Sequence, residues 1–314
     1  KKAYNYIKNH QIYRAIRKDS NRLLKITTKE KFDIVVSYHT ELNCNNIGMP
    51  KHTKTIKYIH SDLSTNEYFK ERMEYIKHLK KPYDKIICVS EQARKSFIET
   101  YGIDKNVVTL LNPIDATRIQ VLSNEKVVLP FRGKYICAVG RLGWEKGYDR
   151  LILLQKRLKE MSLDYKLLIV GDGSEKKKLI KMIEDNHLQD DVFLIGYQSN
   201  PYPYLLHSYF TVISSYTEGL PVVAVESLCL GIPVVSCFSS VKEAFGEEKC
   251  GIITDNDDEA LFNGMLDLFN NENLYNIVKN GAESRREFFS GRTLIKQVEN
   301  EYIHTIFDDN YTET

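Results

Sequence analysis

Short apolar runs rich in β-branched residues alternate with helical stretches along most of the chain, and this alternation constrains the fold more than any other feature. Residues 32–37 (FDIVVS), 55–59 (TIKYI), 85–89 (KIICV) and 107–110 read as one series of buried strands. A second series follows at 135–139 (YICAV), 166–170 (KLLIV), 192–195, 210–213, 233–236 and 251–254. Helices are expected between them at 66–79, 91–101, 148–161, 175–186, 221–230 and 258–270. Ser90 is placed to cap the second of these and Gly102 to stop it. Strands apolar on both faces and joined by helices form parallel sheets covered on both sides, so the class is α/β.

The 314 residues exceed the usual size of one domain. A polar stretch at 123–133, holding Pro130 and Gly133, separates the two series and reads as a linker. The expected organisation is two Rossmann-like, doubly wound domains facing a cleft, over 1–125 and 126–289, with a last helix over 290–314 crossing back to the first. The first series has four strands and no opening strand–glycine-loop–helix. Because the chain opens on Lys1 rather than Met, the N-terminal domain is expected to be incomplete at its start.

Composition excludes several classes. Apolar residues at 42% and charged residues at 27% are those of a globular chain, not a disordered one or a coiled coil. No apolar run approaches the roughly 20 residues that a membrane-spanning helix needs. The six cysteines form no CxxC pair, and several sit in strand-like runs, so they are expected as reduced core residues without zinc. The net charge of +2 is unevenly spread. Residues 1–31 carry ten Lys/Arg against Asp19 and Glu30, a local +8, and the remaining 34 basic and 40 acidic residues leave −6. Tyr4, Ile7, Ile12, Ile16 and Leu23 are interleaved with these basic residues, which suits an anionic membrane surface or a polyanion, and equally a solvated helix face.

Chemistry concentrates in residues 214–236, SSYTEGLPVVAVESLCLGIPVVS. Glu218 falls at the C-terminal edge of the preceding strand, where such folds bind ligands. A helix opens at Pro221, so backbone N–H groups from Val222 onward form an anion site suited to a diphosphate. Glu226, eight residues after Glu218, is placed to accept a bidentate pair from a ribose diol. A second cluster, VGRLGWEKGYDR over 139–150, puts Arg141 and Lys146 around a loop after another strand, a fork and a point charge for a diphosphate. His60, in YIHSD, ends a strand of the first series. Two further signals are weak. Gly171-Asp172-Gly173-Ser174-Glu175 follows a strand like a dinucleotide fingerprint but has Lys176 where the third glycine belongs. Asp255-Asn256-Asp257 has the form of a metal-binding DxD, but its place before a helix reads better as capping.

GRLGWEKGYDRLI, LLIVGDGSEKKKLI, VFLIGYQSNPYPYL and SSYTEGLPVVAVESLCLGIPVVS, in that order, resemble the retaining GT-B glycosyltransferases of family 4, the glycosyl transferases group 1. CVSEQARKSF followed by LLNPID is similar to that family's interdomain region. The resemblance implies transfer of a sugar from a nucleotide donor, by family frequency a UDP-sugar, to an acceptor hydroxyl with retention at the anomeric carbon. Glu218 then reaches the donor sugar's hydroxyls and Glu226 binds the ribose, while Arg141 and Lys146 hold the diphosphate. The backbone amides fall on Gly219, Leu220, Val222 and Val223, the base packs near Tyr197 and Gln198, and His60 lies against the donor sugar. No cofactor and no metal is implied. The expected partners are the nucleotide-sugar, a glycan or lipid-linked acceptor and an anionic membrane surface met by residues 1–31, with no nucleic acid. The expected location is cytoplasmic, peripheral on the inner membrane face. Other readings of the same architecture are a nucleotide-sugar epimerase, a non-catalytic sugar-binding subunit and, disfavoured by the missing glycine, a nicotinamide dehydrogenase.

Overall fold

The computed structural model describes residues 32–38, 52–64, 70, 73, 76–77, 83–218, 220–291 and 293–307. The basic segment 1–31 and most of the helix expected over 66–79 lie outside them. The chain divides into two compact units, one running to Leu111 and resuming at Lys296, the other spanning Asn112–Ile295.

The first unit is built on a parallel sheet of β1 (Ile34–Ser37), β2 (Lys54–Ile59), β3 (Lys85–Cys88) and β4 (Val107–Thr109), in that spatial order. Helix α1 (Glu91–Tyr101) has the expected ends. The Ser90 hydroxyl accepts from Ala93 N–H, and Gly102, at φ +68°, turns back to donate to the Ile98 carbonyl. Ala93, Phe97 and Tyr101 from α1 pack on Ile59, Ile86 and Cys88 of the sheet. The last helix, Thr293–Phe307, belongs to this unit from Lys296 onward. Its Tyr302 hydroxyl lies 3.0 Å from that of Tyr58, and its Glu301 lies 2.6 Å from Lys85.

The second unit carries six parallel strands: β5 (Lys134–Val139), β6 (Tyr165–Val170), β7 (Val192–Leu194), β8 (Thr211–Ile213), β9 (Val234–Ser236) and β10 (Gly251–Ile253). Their order is β10-β9-β8-β5-β6-β7. The chain thus winds outward from β5 to β7, returns to the other side of β5 at β8, and winds out again. Helices α2 (Ala116–Leu122), α3 (Tyr148–Glu160), α4 (Lys176–Asp185), α5 (Tyr202–Leu206), α6 (Val222–Cys229), α7 (Val241–Phe245), α8 (Asp258–Asn270) and α9 (Glu272–Ser290) complete it. The core joins Ile136 and Ala138 of β5, Leu167 and Ile169 of β6, Leu151, Leu154 and Leu158 of α3, and Leu261 and Met265 of α8. Each such fully buried Leu or Ile contributes roughly 1.5–3 kcal/mol of transfer free energy. Among the described residues, Cys88, Cys137, Cys229, Cys237 and Cys250 are buried free thiols, and Cys44 lies outside these residues. Burial pushes the thiols of Cys88, Cys229 and Cys250 up to about 12, which keeps them protonated and inert.

Two features differ from the sequence expectation. The units divide at Asn112, ahead of the polar stretch 123–133, because α2 packs on α6 and α9 and its Gln120 amide donates to the Cys229 carbonyl and the Ser290 hydroxyl. The 19-residue α9 fills a span the sequence leaves unassigned, where few apolar residues are interleaved with charge and a central glycine, Gly281. That glycine sits where a Cβ would lie 2.2 Å from the Lys249 carbonyl oxygen, so α9 crosses the chain there at close range.

Candidate active site

In a doubly wound sheet the crevice opens beyond the carboxyl ends of the strands where the winding reverses. Here that point lies between β5 and β8, which pair at Cys137 and Thr211. Two loops leave it. The one after β5 makes a 3-10 turn, Trp144–Lys146, and the one after β8 runs through Ser214 and Ser215 to Glu218. They are clasped together: the Ser214 hydroxyl donates to the Lys146 carbonyl at 2.9 Å, and Tyr216 N–H donates to the Glu145 carbonyl at 2.8 Å. The result brings two predicted residues into contact. The Lys146 ammonium donates directly to Glu218 Oε1, and the Ser215 hydroxyl donates to the same oxygen at 2.8 Å. Tyr148 is buried beside them. Burial, reinforced by the Glu218 charge, raises its phenol well above the ordinary range and keeps it neutral.

Arg141 projects from the same β5 loop with its side chain 74% exposed and pairs with Glu145 at 2.5 Å. An exposed pair of this kind is worth about 0–1 kcal/mol, so the guanidinium is readily surrendered to a stronger anion. Pro221 precedes α6 with extended backbone, and the first-turn N–H groups of Val222 and Val223 lack intrahelical acceptors by helix geometry. Leu220 is buried, and Gly219 lies outside the described residues. Glu226 stands in the second turn of α6, where it accepts from the Tyr202 hydroxyl at 3.2 Å. Burial raises its pKa and the Tyr202 bond only partly offsets this. The Tyr202 phenol is itself pushed up to about 12 by burial and by the neighbouring Glu226. Tyr197, 74% exposed, and Gln198, whose amide donates to the Ile195 carbonyl, follow β7 at the same sheet edge.

His60 follows β2 in the first unit. Its Nε2 lies 2.8 Å from the Tyr38 carbonyl oxygen, which can only accept, so Nε2 carries the proton. The ring stacks on Tyr58 and meets Tyr38 edge-on. Asp62 is fully buried and accepts from Ser64 N–H and the Ser64 hydroxyl, the bonds of a turn, and from the Gln92 amide 30 residues on. The 171–175 loop is bound to the Arg141 loop, with Leu142 N–H donating to the Asp172 carbonyl and Glu175 N–H to the Leu142 carbonyl. Asp257 caps α8 by accepting from Ala260 N–H, as expected of a capping residue.

Sequence reading passed over three neighbours. Ser215 and Glu145 were visible as a hydroxyl three residues before Glu218 and a carboxylate four after Arg141. Tyr202 carries no linear signal, since 24 residues and a strand separate it from Glu226.

The comparisons with known proteins agree with this geometry. The family model described as "Glycosyl transferases group 1" matches residues 123–285, more than half the chain, and the one described as "Glycosyltransferase Family 4" matches residues 2–118. An uncharacterized glycosyltransferase of Methanocaldococcus jannaschii is 32% identical over 241 residues, covering 70% of this chain and 59% of that protein. The N-acetylgalactosamine-N,N'-diacetylbacillosaminyl-diphospho-undecaprenol 4-alpha-N-acetylgalactosaminyltransferase of Campylobacter jejuni is 31% identical over 210 residues, covering 66% and 56%. The chain thus spans little more than half the length of these relatives. Among solved structures, that of a Staphylococcus aureus TarM variant in complex with fondaparinux, alpha-GlcNAc-glycerol and UDP superimposes with a TM-score of 0.65 at 20% identity, covering 83% of this chain and 52% of that one. Two parallel-sheet units, a crevice-edge Glu-x7-Glu pair and these matches have one reading: the chain belongs to the glycosyl transferases group 1 and has the GT-B fold.

Proposed function

We propose that the chain is a retaining, metal-independent glycosyltransferase that moves a sugar from a UDP-sugar to a hydroxyl of a glycan or lipid-linked acceptor. The observation that carries the reading is the meeting of Lys146 and Glu218 at the switch point of the second sheet, with Glu226 on the following helix. Departure of a nucleoside diphosphate from an anomeric carbon builds positive charge on the sugar and negative charge on the phosphate. Glu218 supports the first. Lys146, Arg141 and the N–H groups of Val222 and Val223 support the second, in the place a metal ion takes in other transferases. Glu226 holds the ribose diol, and Tyr197 and Gln198 border the base. Leu220 and Gly219 supply backbone to the donor sugar.

In this mechanism the bond from the anomeric carbon to the diphosphate oxygen breaks, and the acceptor oxygen bonds to the same face. The acceptor proton passes to the departing phosphate oxygen. The UDP in the TarM complex and the diphospho-undecaprenol in the name of the Campylobacter relative support the donor and acceptor classes. A lipid-linked acceptor agrees with a peripheral, cytoplasmic-face location in which residues 1–31 meet the membrane. No helix among the described residues is long and apolar enough to cross a membrane.

Calorimetric titration with UDP, GDP and ADP tests the reading. UDP binding is expected, weakened by about 1–3 kcal/mol in Arg141→Ala and in Glu226→Ala. Glu218→Gln should spare UDP binding and cut turnover of the donor by about 100-fold or more. UDP binding that ignores both Arg141→Ala and Glu226→Ala would move the nucleotide site elsewhere, and turnover untouched by Glu218→Gln would remove Glu218 from the chemistry.

A further inference from the structure

Arg150, in the first turn of α3, is 3% exposed, and a buried guanidinium is retained only when its donors are satisfied. Nε donates to the Ser214 carbonyl at 2.8 Å. Nη2 donates to the Ser215 carbonyl at 3.0 Å, to Asn256 Oδ1 at 2.7 Å and to Cys237 Sγ at 2.9 Å. Nη1 lies 3.7 Å from the Asp258 carboxylate, and the group stacks under the Tyr216 ring at 4.4 Å. Ser214 and Ser215 follow β8, Cys237 follows β9, and Asn256 follows β10. One side chain, on the helix after β5, thus ties together the carboxyl ends of three neighbouring strands. The Asn256 amide adds bonds to the Ser215 and Tyr216 carbonyls at 3.3 Å.

We infer that Arg150 is a positioning residue that fixes Glu218 against Lys146, an inference that rests on the role proposed above for Glu218. The path is short. The guanidinium holds the carbonyls of Ser214 and Ser215, the Ser215 hydroxyl holds Glu218 Oε1, and the Ser214 hydroxyl holds the Lys146 carbonyl. Both partners of the ion pair therefore take their position from the two residues that Arg150 grips. A planar, five-donor fork reaches several loop acceptors at once, which an ammonium on a single stem cannot do. Arg150→Lys keeps the charge and loses the geometry.

The test is a double-mutant cycle on Arg150→Lys and Glu218→Gln, read in two ways. The first is UDP release from UDP-glucose and UDP-N-acetylglucosamine, with water as acceptor, beside calorimetric UDP binding. Arg150→Lys should lower release on the order of 10–100-fold while UDP binding changes by about threefold or less, and should cost nothing more once Glu218 is Gln. The second does not depend on turnover: the NMR signal of Lys146 after reductive 13C-dimethylation, assigned by its loss in Lys146→Arg. Glu218→Gln shifts this signal, and Arg150→Lys should shift it the same way, but only while Glu218 is present. An Arg150→Lys variant that leaves the Lys146 signal in place, or lowers release equally in both backgrounds, overturns the inference. If the wild-type chain turns over neither donor, the functional reading falls and the Lys146 signal alone decides the role of Arg150.

Discussion

Holding a carboxylate in the second turn of the apolar helix α6, against Tyr202, penalises its charged form, and Glu226 is raised above the ordinary glutamate range for that reason. The sign of the consequence follows from which state ionises first. Below the unfolded pKa the group is neutral in both states and no penalty exists. As pH rises the unfolded chain ionises first, so stability falls until pH passes the raised folded value and stays lowered beyond it. Glu226→Gln should therefore raise the melting temperature at about pH 7, by ~2–4 °C for each kcal/mol recovered, with the gain vanishing near about pH 4. The same substitution should weaken UDP binding, because an ionised carboxylate accepts both ribose hydroxyls and an amide does not. A melting series across pH beside calorimetry separates the two effects. A variant that loses stability at neutral pH would mean that the Tyr202 bond outweighs the burial cost.

Turns at the ends of elements decide how closely the two site loops approach, and two glycines with nearly the same backbone make the comparison clean. Gly102, closing α1, and Gly147, opening α3, have φ of +68° and +62°. A Cβ on Gly102 meets nothing within 4 Å, whereas one on Gly147 would stand 2.0 Å from the Ser214 carbonyl oxygen that Arg150 also grips. Gly102→Ala should cost about 1–2 kcal/mol, the left-handed penalty alone. Gly147→Ala should exceed this clearly in urea unfolding and also weaken UDP binding, since it pushes the Lys146 loop off Ser214. Equal costs would mean that the loops part without resistance. The elements around these glycines were largely legible in the sequence, since the strands fall within two residues of their apolar runs and α1 keeps its Ser90 and Gly102 caps. Glu218 and Lys146 were legible as members of one crevice edge, but their direct bond was not. It depends on β8 returning to lie beside β5, and strand order across a crossover leaves no mark in local pattern. Arg150 was hidden for the same reason, as the partners of its side chain are 64 to 108 residues away.

The two units carry unequal shares of the proposed chemistry. Residues 112–295 hold their own six-stranded sheet, their own core, and every residue assigned to the diphosphate, ribose and base, while of the site residues expected from the sequence only His60 lies in the other unit. The first unit is closed instead by the last helix, through the Tyr58–Tyr302 contact and the Lys85–Glu301 pair. A core that is complete within one unit should fold without the other, because no strand among the described residues loses a neighbour when the chain is cut at 112 and 295. A fragment of residues 112–295 is therefore expected to melt cooperatively and to bind UDP within about threefold of the whole chain, a change under about 1 kcal/mol. Circular dichroism melting and calorimetry on the fragment check the two points separately. A folded fragment that binds no UDP, beside a whole chain that does, would overturn the assignment of Glu226, Arg141 and Lys146 as sufficient for the nucleotide.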